Sequence, residues 1–313
     1  MTTPAIETRG LRKQYGRAVA VDHLDLTIAE GTVFGLLGPN GSGKTTTILM
    51  LMGLTELTAG TVRVLGMDPM REPLRVKRAV GYLPDTVGFY DEMSAIENLR
   101  YSGKLSGLAG ISLEQRIATA LARVRLTENA KQAVRTYSRG MRQRLGLAEV
   151  MLKAPRIAIL DEPTNGLDPQ STHEFLDLIR ELKQEGLTVL LSSHLLDRVQ
   201  AVCDRVGLFH HGKMVLEGTV GELARQVLGG GYRITVESRG GDGLASALGA
   251  IPAVNRVEPV AAGTYRLRAD TDVRPEVVTA VARSGATLLG LAMDAPSLDD
   301  VYTEYFRELR DAA

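Results

Sequence analysis

Nine consecutive residues carry the clearest chemistry in this chain: Gly38-Pro39-Asn40-Gly41-Ser42-Gly43-Lys44-Thr45-Thr46. The glycines let the backbone turn tightly and aim successive N–H groups at phosphate oxygens. An apolar run, Thr32 to Leu37, precedes them and reads as a strand; Thr47 to Met52 follows and reads as a helix. The N-terminus of that helix adds its partial positive charge. In this setting Lys44 can reach the β- and γ-phosphates of a triphosphate, and the Thr45 hydroxyl can ligate Mg²⁺. A chance glycine-rich turn before Lys-Thr is the plain alternative, and the strand-loop-helix context argues against it.

Two further constellations extend the site. Arg156-Ile157-Ala158-Ile159-Leu160-Asp161-Glu162-Pro163-Thr164 is an apolar run ending in adjacent carboxylates. Such a run suits a parallel strand covered on both faces, whose C-terminal edge is where open α/β sheets place their ligands. There Asp161 suits a Mg²⁺ partner, and Glu162 suits a base that polarises an attacking water. Upstream, Tyr137-Ser138-Arg139-Gly140-Met141 opens a helical apolar pattern. Ser138 reads as its N-cap, and Gly140 permits close backbone approach. One mononucleotide does not need two anion-binding helix ends, so the surplus points to a composite site.

At this point the chain resembles the ATP-binding cassette ATPases. The family signature is usually Leu-Ser-Gly-Gly-Gln, and Tyr137 to Met141 resembles a variant found among bacterial transporter cassettes. The resemblance covers about the first 220 residues. It implies ATP and Mg²⁺ as ligands, with Gly38, Asn40, Gly41, Ser42, Gly43, Lys44, Thr45 and Thr46 around the phosphates. Tyr15 looks like the aromatic on which adenine stacks, though ordinary packing is its alternative. Asn165-Gly166-Leu167-Asp168 looks like the loop that crosses a dimer interface. His194, after Ser192-Ser193, looks like the histidine that contacts the γ-phosphate. Ser138, Gly140 and Met141 would meet the nucleotide of a second subunit, expected to be another copy of this chain. Lys44, Glu162 and His194 are the implied catalytic set; Thr45, Asp161 and Asp85 are the implied metal set. Asp85 departs from the Gln usual at its position. Being shorter by about 1.5 Å, it is expected to reach the metal through a water, unless it merely ends a strand.

Composition sets the outer limits. Lys+Arg and Asp+Glu are both 37 in 313 residues, so no global field favours nucleic acid. Arg135, Arg139, Arg142 and Arg144 form a local exception that could serve phosphate, a partner subunit or a solvated face. The single cysteine, Cys203, excludes an intramolecular disulfide and is expected to pack in the helix after His194. His210-His211 before Gly212 reads as a hairpin turn rather than a metal site. No apolar stretch approaches the roughly 18–20 residues that cross a bilayer, and no secretion signal opens the chain. The expectation is a cytoplasmic protein, held at the inner face of the membrane by an integral permease on a separate chain.

The elements that position these residues follow from pattern. Ile6–Arg9 and Leu24–Ile28 alternate as an antiparallel β layer, strand and helix then alternate as in a mostly parallel sheet, and about 92–152 read as helical. The expected fold is α/β: a phosphate-loop NTPase core with an antiparallel layer and a helical signature subdomain over residues 1–228. Asp168-Pro169 starts a long amphipathic helix that Gly186 ends. Gly229-Gly230-Gly231 marks a boundary, and 232–313 read β-α-β-β-α-β plus a last helix capped by Ser297. That order is the ferredoxin-like one, expected to serve dimerisation or regulation. Pro296 to Tyr302 looks like the tail motif of bacterial export-type cassettes. The reading is therefore an ATP-hydrolysing subunit that dimerises around MgATP to drive an exporter. Alternatives are a cassette ATPase acting on ribosomes or DNA, and one assisting maturation of periplasmic metalloenzymes; the cargo is not encoded here.

Overall fold

The structure is a computed structural model describing residues 4–228, 231–241, 243–294 and 297–311. Strands β1 (Ile6–Tyr15) and β2 (Ala18–Ile28) form an antiparallel hairpin that pairs Ile6 with Ile28 and Thr8 with Leu26. β3 (Val33–Leu37) is buried at every position and runs through the glycine loop into α1 (Lys44–Leu51). β4 (Ala59–Val64) returns to pair antiparallel with β1, completing a three-stranded layer in the order β2-β1-β4.

The chain continues through α2 (Pro73–Ala79), β5 (Val80–Leu83), α3 (Ala95–Leu105), α4 (Gly110–Arg123) and α5 (Arg139–Leu152). Then come β6 (Ile157–Asp161), α6 (Pro169–Gln184), β7 (Thr188–Ser193), α7 (Leu196–Gln200), β8 (Arg205–His210) and β9 (Lys213–Gly218). A six-stranded sheet results, ordered β5-β6-β7-β3-β8-β9, and its pairs from β5 through β8 are parallel. β3, β6 and β7 are buried throughout because both faces of this sheet are covered. One core cluster joins Ile6, Leu24, Leu26 and Val62 of the antiparallel layer to Phe34, Leu36, Ile159 and Leu190 of the parallel sheet, with Ile48 and Met50 of α1.

The stretch around 92–152 is helical as expected. Its first long helix, α3, starts at a capping box: Ser94 Oγ accepts from Glu97 N at 3.3 Å, and Glu97 Oε2 accepts from Ser94 N at 2.8 Å. His211 and Gly212, at φ 46° and 79°, make the two-residue turn between β8 and β9. Cys203 departs from expectation. Helix α7 ends at Gln200, so Cys203 stands beyond it, with Sγ 2.9 Å from where a Cβ on Gly35 would sit. Among the described residues no helix is long and apolar enough to cross a membrane.

The second unit contains α8 (Val220–Leu228), β10 (Tyr232–Arg239), α9 (Leu244–Gly249), β11 (Val254–Ala261), β12 (Thr264–Ala269), α10 (Arg274–Arg283), β13 (Thr287–Asp294) and α11 (Leu298–Asp311). Its sheet is ordered β11-β12-β10-β13 with every pairing antiparallel, the ferredoxin-like topology. Ile234, Val236, Leu267 and Ala269 of the sheet bury against Leu244, Leu248, Val277 and Val281 of α9 and α10. Ser297 caps α11, its Oγ accepting from Asp300 N at 3.0 Å. The compact units divide between Leu216 and Glu217, ahead of the expected 228, because α8 packs on α11. Gly229, Gly230 and Pro296 lie outside the described residues.

Candidate functional site

A pocket of about 310 Å³ opens at the C-terminal ends of β3, β5, β6 and β7. Asn40, Gly41, Gly43, Lys44, Thr45 and Thr46 of the glycine loop line it together with Asp85, Glu162, Asn165 and His194. Residues as far apart as 40 and 194 meet here because parallel strands bring their loops to one edge of the sheet.

The loop is held by its own backbone. Gly38 N donates to Ser193 O at 3.1 Å, Ser42 N to Pro39 O at 3.2 Å, and Gly212 N to Ser42 O at 2.8 Å. Gly38 must be glycine: at φ +149° an added Cβ would lie 2.3 Å from the Phe209 carbonyl oxygen. Gly43 caps α1 without a side chain, and no carboxylate occupies the first turn, so that helix end is left for an anion. Lys44 is 5 % exposed and donates to the carbonyls of Gly38 at 2.7 Å and Pro39 at 3.1 Å.

Across the pocket stand the two carboxylates. Asp161, buried at the end of β6, has Oδ1 3.3 Å from Thr45 Oγ1 and accepts a further bond from the Ser192 hydroxyl. The same Ser192 oxygen accepts from Glu162 N at 2.9 Å. Glu162 adopts φ 49°, a left-handed backbone uncommon outside glycine and characteristic of functional corners. Its Oε2 lies 2.8 Å from His194 Nδ1 and accepts from His194 N at 3.2 Å. Facing a carboxylate, Nδ1 is the donor of this pair. Glu162 Oε1 pairs with Lys44 Nζ at 3.3 Å and is buried without a hydrogen-bond donor. Tyr82 on β5 has its phenol pushed up to about 12 by burial first, then by Asp161 and Asp85.

Asp85 accepts from Asn165 Nδ2 at 3.2 Å, which fixes it on the pocket wall. Tyr15 is not among the lining residues; it is 49 % exposed, with Lys13 Nζ 4.7 Å above its ring. Ser138, Gly140, Met141 and Asp168 also lie outside the pocket lining. Ser138 caps α5 as expected, accepting from Met141 N at 3.2 Å. Asp168 caps α6, with Ser171 N donating to it at 2.9 Å. These two helix ends touch, since a Cβ on Gly140 would fall 2.6 Å from Ser171 Oγ. The neighbouring arginines are engaged within the chain: Arg142 with Asp91 at 2.7 Å, Arg135 with Glu92 at 3.3 Å and Arg144 with Glu174 at 3.8 Å. Ser192, Ala20 and Asn165 were not singled out as ligand residues from sequence. Ser192 carried a signal as the hydroxyl two residues before His194, and Asn165 as the first residue of the loop read as crossing a dimer interface.

The donor set suits a magnesium nucleotide. Mg²⁺ takes hard oxygen ligands, and Thr45, Asp161 and the donor-free Glu162 Oε1 offer oxygens beside the loop. A triphosphate fits the open end of α1.

Comparison with known proteins agrees with this geometry. The family model described as ABC transporter matches residues 21–165. The linearmycin resistance ATP-binding protein LnrL of Bacillus subtilis (strain 168) is 33 % identical over 98 % of this chain and 100 % of its own length. The daunorubicin resistance ATP-binding protein DrrA3 of Streptomyces coeruleorubidus is 36 % identical over 100 % of both chains. Among solved structures, an ATP-binding subunit of an ABC transporter superposes with a TM-score of 0.64 at 30 % identity, covering 72 % of this chain and 93 % of that one. With its phosphate loop, Glu162 and His194 gathered in one pocket, the chain belongs to the ATP-binding cassette family, as the ATP-hydrolysing, nucleotide-binding subunit of an ABC transporter.

Proposed function

We propose that two copies of this chain close head to tail around MgATP, each completing the other's reaction centre, and thereby drive a separate integral membrane permease. The observation that carries this reading is the placement of Ser138, Gly140 and Met141 outside the pocket of their own chain. Their helix end is capped and shaped for an anion that one chain alone does not bring to it. Glu162 is the base that accepts a proton from water as its oxygen attacks the γ-phosphorus and the bond to the ADP oxygen breaks. His194 orients Glu162 and holds the γ-phosphate; Lys44 leaves the loop carbonyls for the phosphates. Thr45 and Asp161 would hold Mg²⁺, with Asp85 acting through a water, and the ion would neutralise phosphate charge. Asp168 crosses the interface, and Tyr15 stacks the adenine.

Tyr90 and Tyr101, exposed and in edge contact at 5.1 Å, offer an aromatic surface beyond Asp85 for the permease. The antibiotics in the relatives' names support an amphiphilic antibiotic or lipid-like cargo moved outward, from a cassette at the cytoplasmic face. Mixing tests the shared centre. Chains carrying Lys44→Ala and chains carrying Gly140→Asp should each be inactive, and mixing them should restore ATP turnover by forming one intact site. A mixture as silent as its components would sink the head-to-tail arrangement.

A further inference from the structure

Four arginines surround the Ser138 helix end, and three of them are spent inside the chain. Arg135 meets Glu92, Arg142 meets Asp91 and Arg144 meets Glu174. Arg139, the first residue of α5, is exposed and has no hydrogen bond or ion pair among the described residues.

The backbone makes room for this side chain without neutralising it. The guanidinium lies against Gly166, where an added Cβ would fall 2.7 Å from Cζ, 2.8 Å from Nη1 and 3.0 Å from Nε. Gly166 also adopts φ 66°, so another residue would meet both the fork and an unfavourable backbone. The carboxylates on this loop, or bonded to it, are held elsewhere. Asp168 accepts from Ser171 N at 2.9 Å and from Ser171 Oγ at 2.6 Å. Asp85 accepts from Asn165, and Glu162 faces Lys44 and His194. Helix α5 has no acidic residue in its first turn, and a cation there opposes the helix dipole, which favours anions. The position lacks an anion that the chain itself does not supply.

We propose that Arg139 reaches the γ-phosphate of the nucleotide held by a second copy of this chain, as a cation supplied from the opposite subunit. The inference rests on the head-to-tail reading and adds a ligand to it: Ser138 and Gly140, which that reading sets against the partner's nucleotide, flank Arg139 on both sides. The residue types fit. Against the usual Leu-Ser-Gly-Gly-Gln, Arg139 brings a fork of side-chain donors where Gly has none, and Met141 has none where Gln has an amide. A guanidinium keeps its charge and matches phosphate oxygens two at a time. Arg139 forms no covalent bond and moves no proton. As the water oxygen bonds to the γ-phosphorus and the bond to the ADP oxygen breaks, ADP keeps the electron pair and Glu162 takes the water's proton. The fork holds the charge spread over the transferred oxygens. Because packing on Gly166 holds it, no ion pair has to break before it turns to phosphate.

The test places Arg139→Gln on one chain at a time. In a mixture of Lys44→Ala and Gly140→Asp chains, the single intact centre joins the phosphate loop of the Gly140→Asp chain to the helix end of the Lys44→Ala chain. Turnover of the mixture should fall about tenfold or more when Arg139→Gln is on the Lys44→Ala chain. The loss should be far smaller when it is on the Gly140→Asp chain, whose helix end is already broken. Arg139→Lys on the Lys44→Ala chain keeps the charge and should recover most of the loss. Equal loss from either chain, no loss from either, or a Lys variant no better than Gln overturns the proposal. A mixture that is silent before Arg139 is touched fails the head-to-tail reading itself, and the inference falls with it. The single chain carrying Arg139→Gln should melt as the parent does and bind a fluorescent ATP analogue at parental affinity. Affinity weaker by about tenfold would place Arg139 at its own chain's nucleotide and equally overturn the proposal.

Discussion

Lys44 Nζ stands 3.3 Å from Glu162 Oε1, so the cation expected at the phosphates is paired with the carboxylate expected to attack through water. The two charges pair where both side chains are nearly buried. On the proposed reading a triphosphate separates them and leaves Glu162 to take the proton.

Replacing Glu162 by Gln removes the base while keeping its shape. ATP turnover should fall about 10²–10⁴-fold, while nucleotide binding holds or tightens, since Lys44 loses its competing anion. Steady-state phosphate release and equilibrium binding of a fluorescent ATP analogue check the two halves. Turnover close to that of the parent would remove Glu162 from the mechanism.

Gly38→Ala should cost about 1–3 kcal/mol of stability from forced overlap, because the new Cβ meets the Phe209 carbonyl at 2.3 Å. The loop would have to shift to relieve it, so ATP affinity should drop as well. Chemical denaturation and calorimetric titration measure both; a variant with unchanged midpoint and affinity would contradict the tight packing of Gly38.

Ser138→Ala removes the cap of α5, a loss of roughly 1 kcal/mol. Binding of ATP to the isolated chain should persist, because Ser138 lies outside the pocket. ATP-dependent dimerisation, followed by light scattering, should weaken. Dimerisation at parental strength would show that this helix end does not face the partner's nucleotide.

Burial pushes the Cys203 thiol up to about 12 from an ordinary 9.0. At pH 9 the thiolate is therefore about 10³-fold scarcer in the folded chain than in the unfolded one. Iodoacetamide labelling read by mass spectrometry should be slow in buffer and fast in urea. The sign for stability follows: the neutral thiol's contribution is whole below pH 9 and is lost as pH rises toward 12. Rapid labelling of the native chain would refute this burial.

Much of this was legible in sequence because it is local. The glycine loop, the run ending at Asp161-Glu162 and the Ser138 cap each declare themselves within ten residues, and so does the strand-helix order of residues 232–311. The pairings were not legible. Whether Lys44 meets Glu162 depends on the strand order β6-β7-β3, which no short window contains. Cross-strand pairs depend on register as well: an irregularity between Val254 and Arg256 brings Arg256 opposite Arg268. The boundary at Leu216 was missed for a related reason, since α8 reveals its partner only once α11 is in place.

The hydroxyl of Ser192 donates a hydrogen bond to Asp161 and accepts one from the backbone N–H of Glu162. A single oxygen thus hitches the Asp161 carboxylate to the Glu162 backbone, and neither can drift without tugging the other.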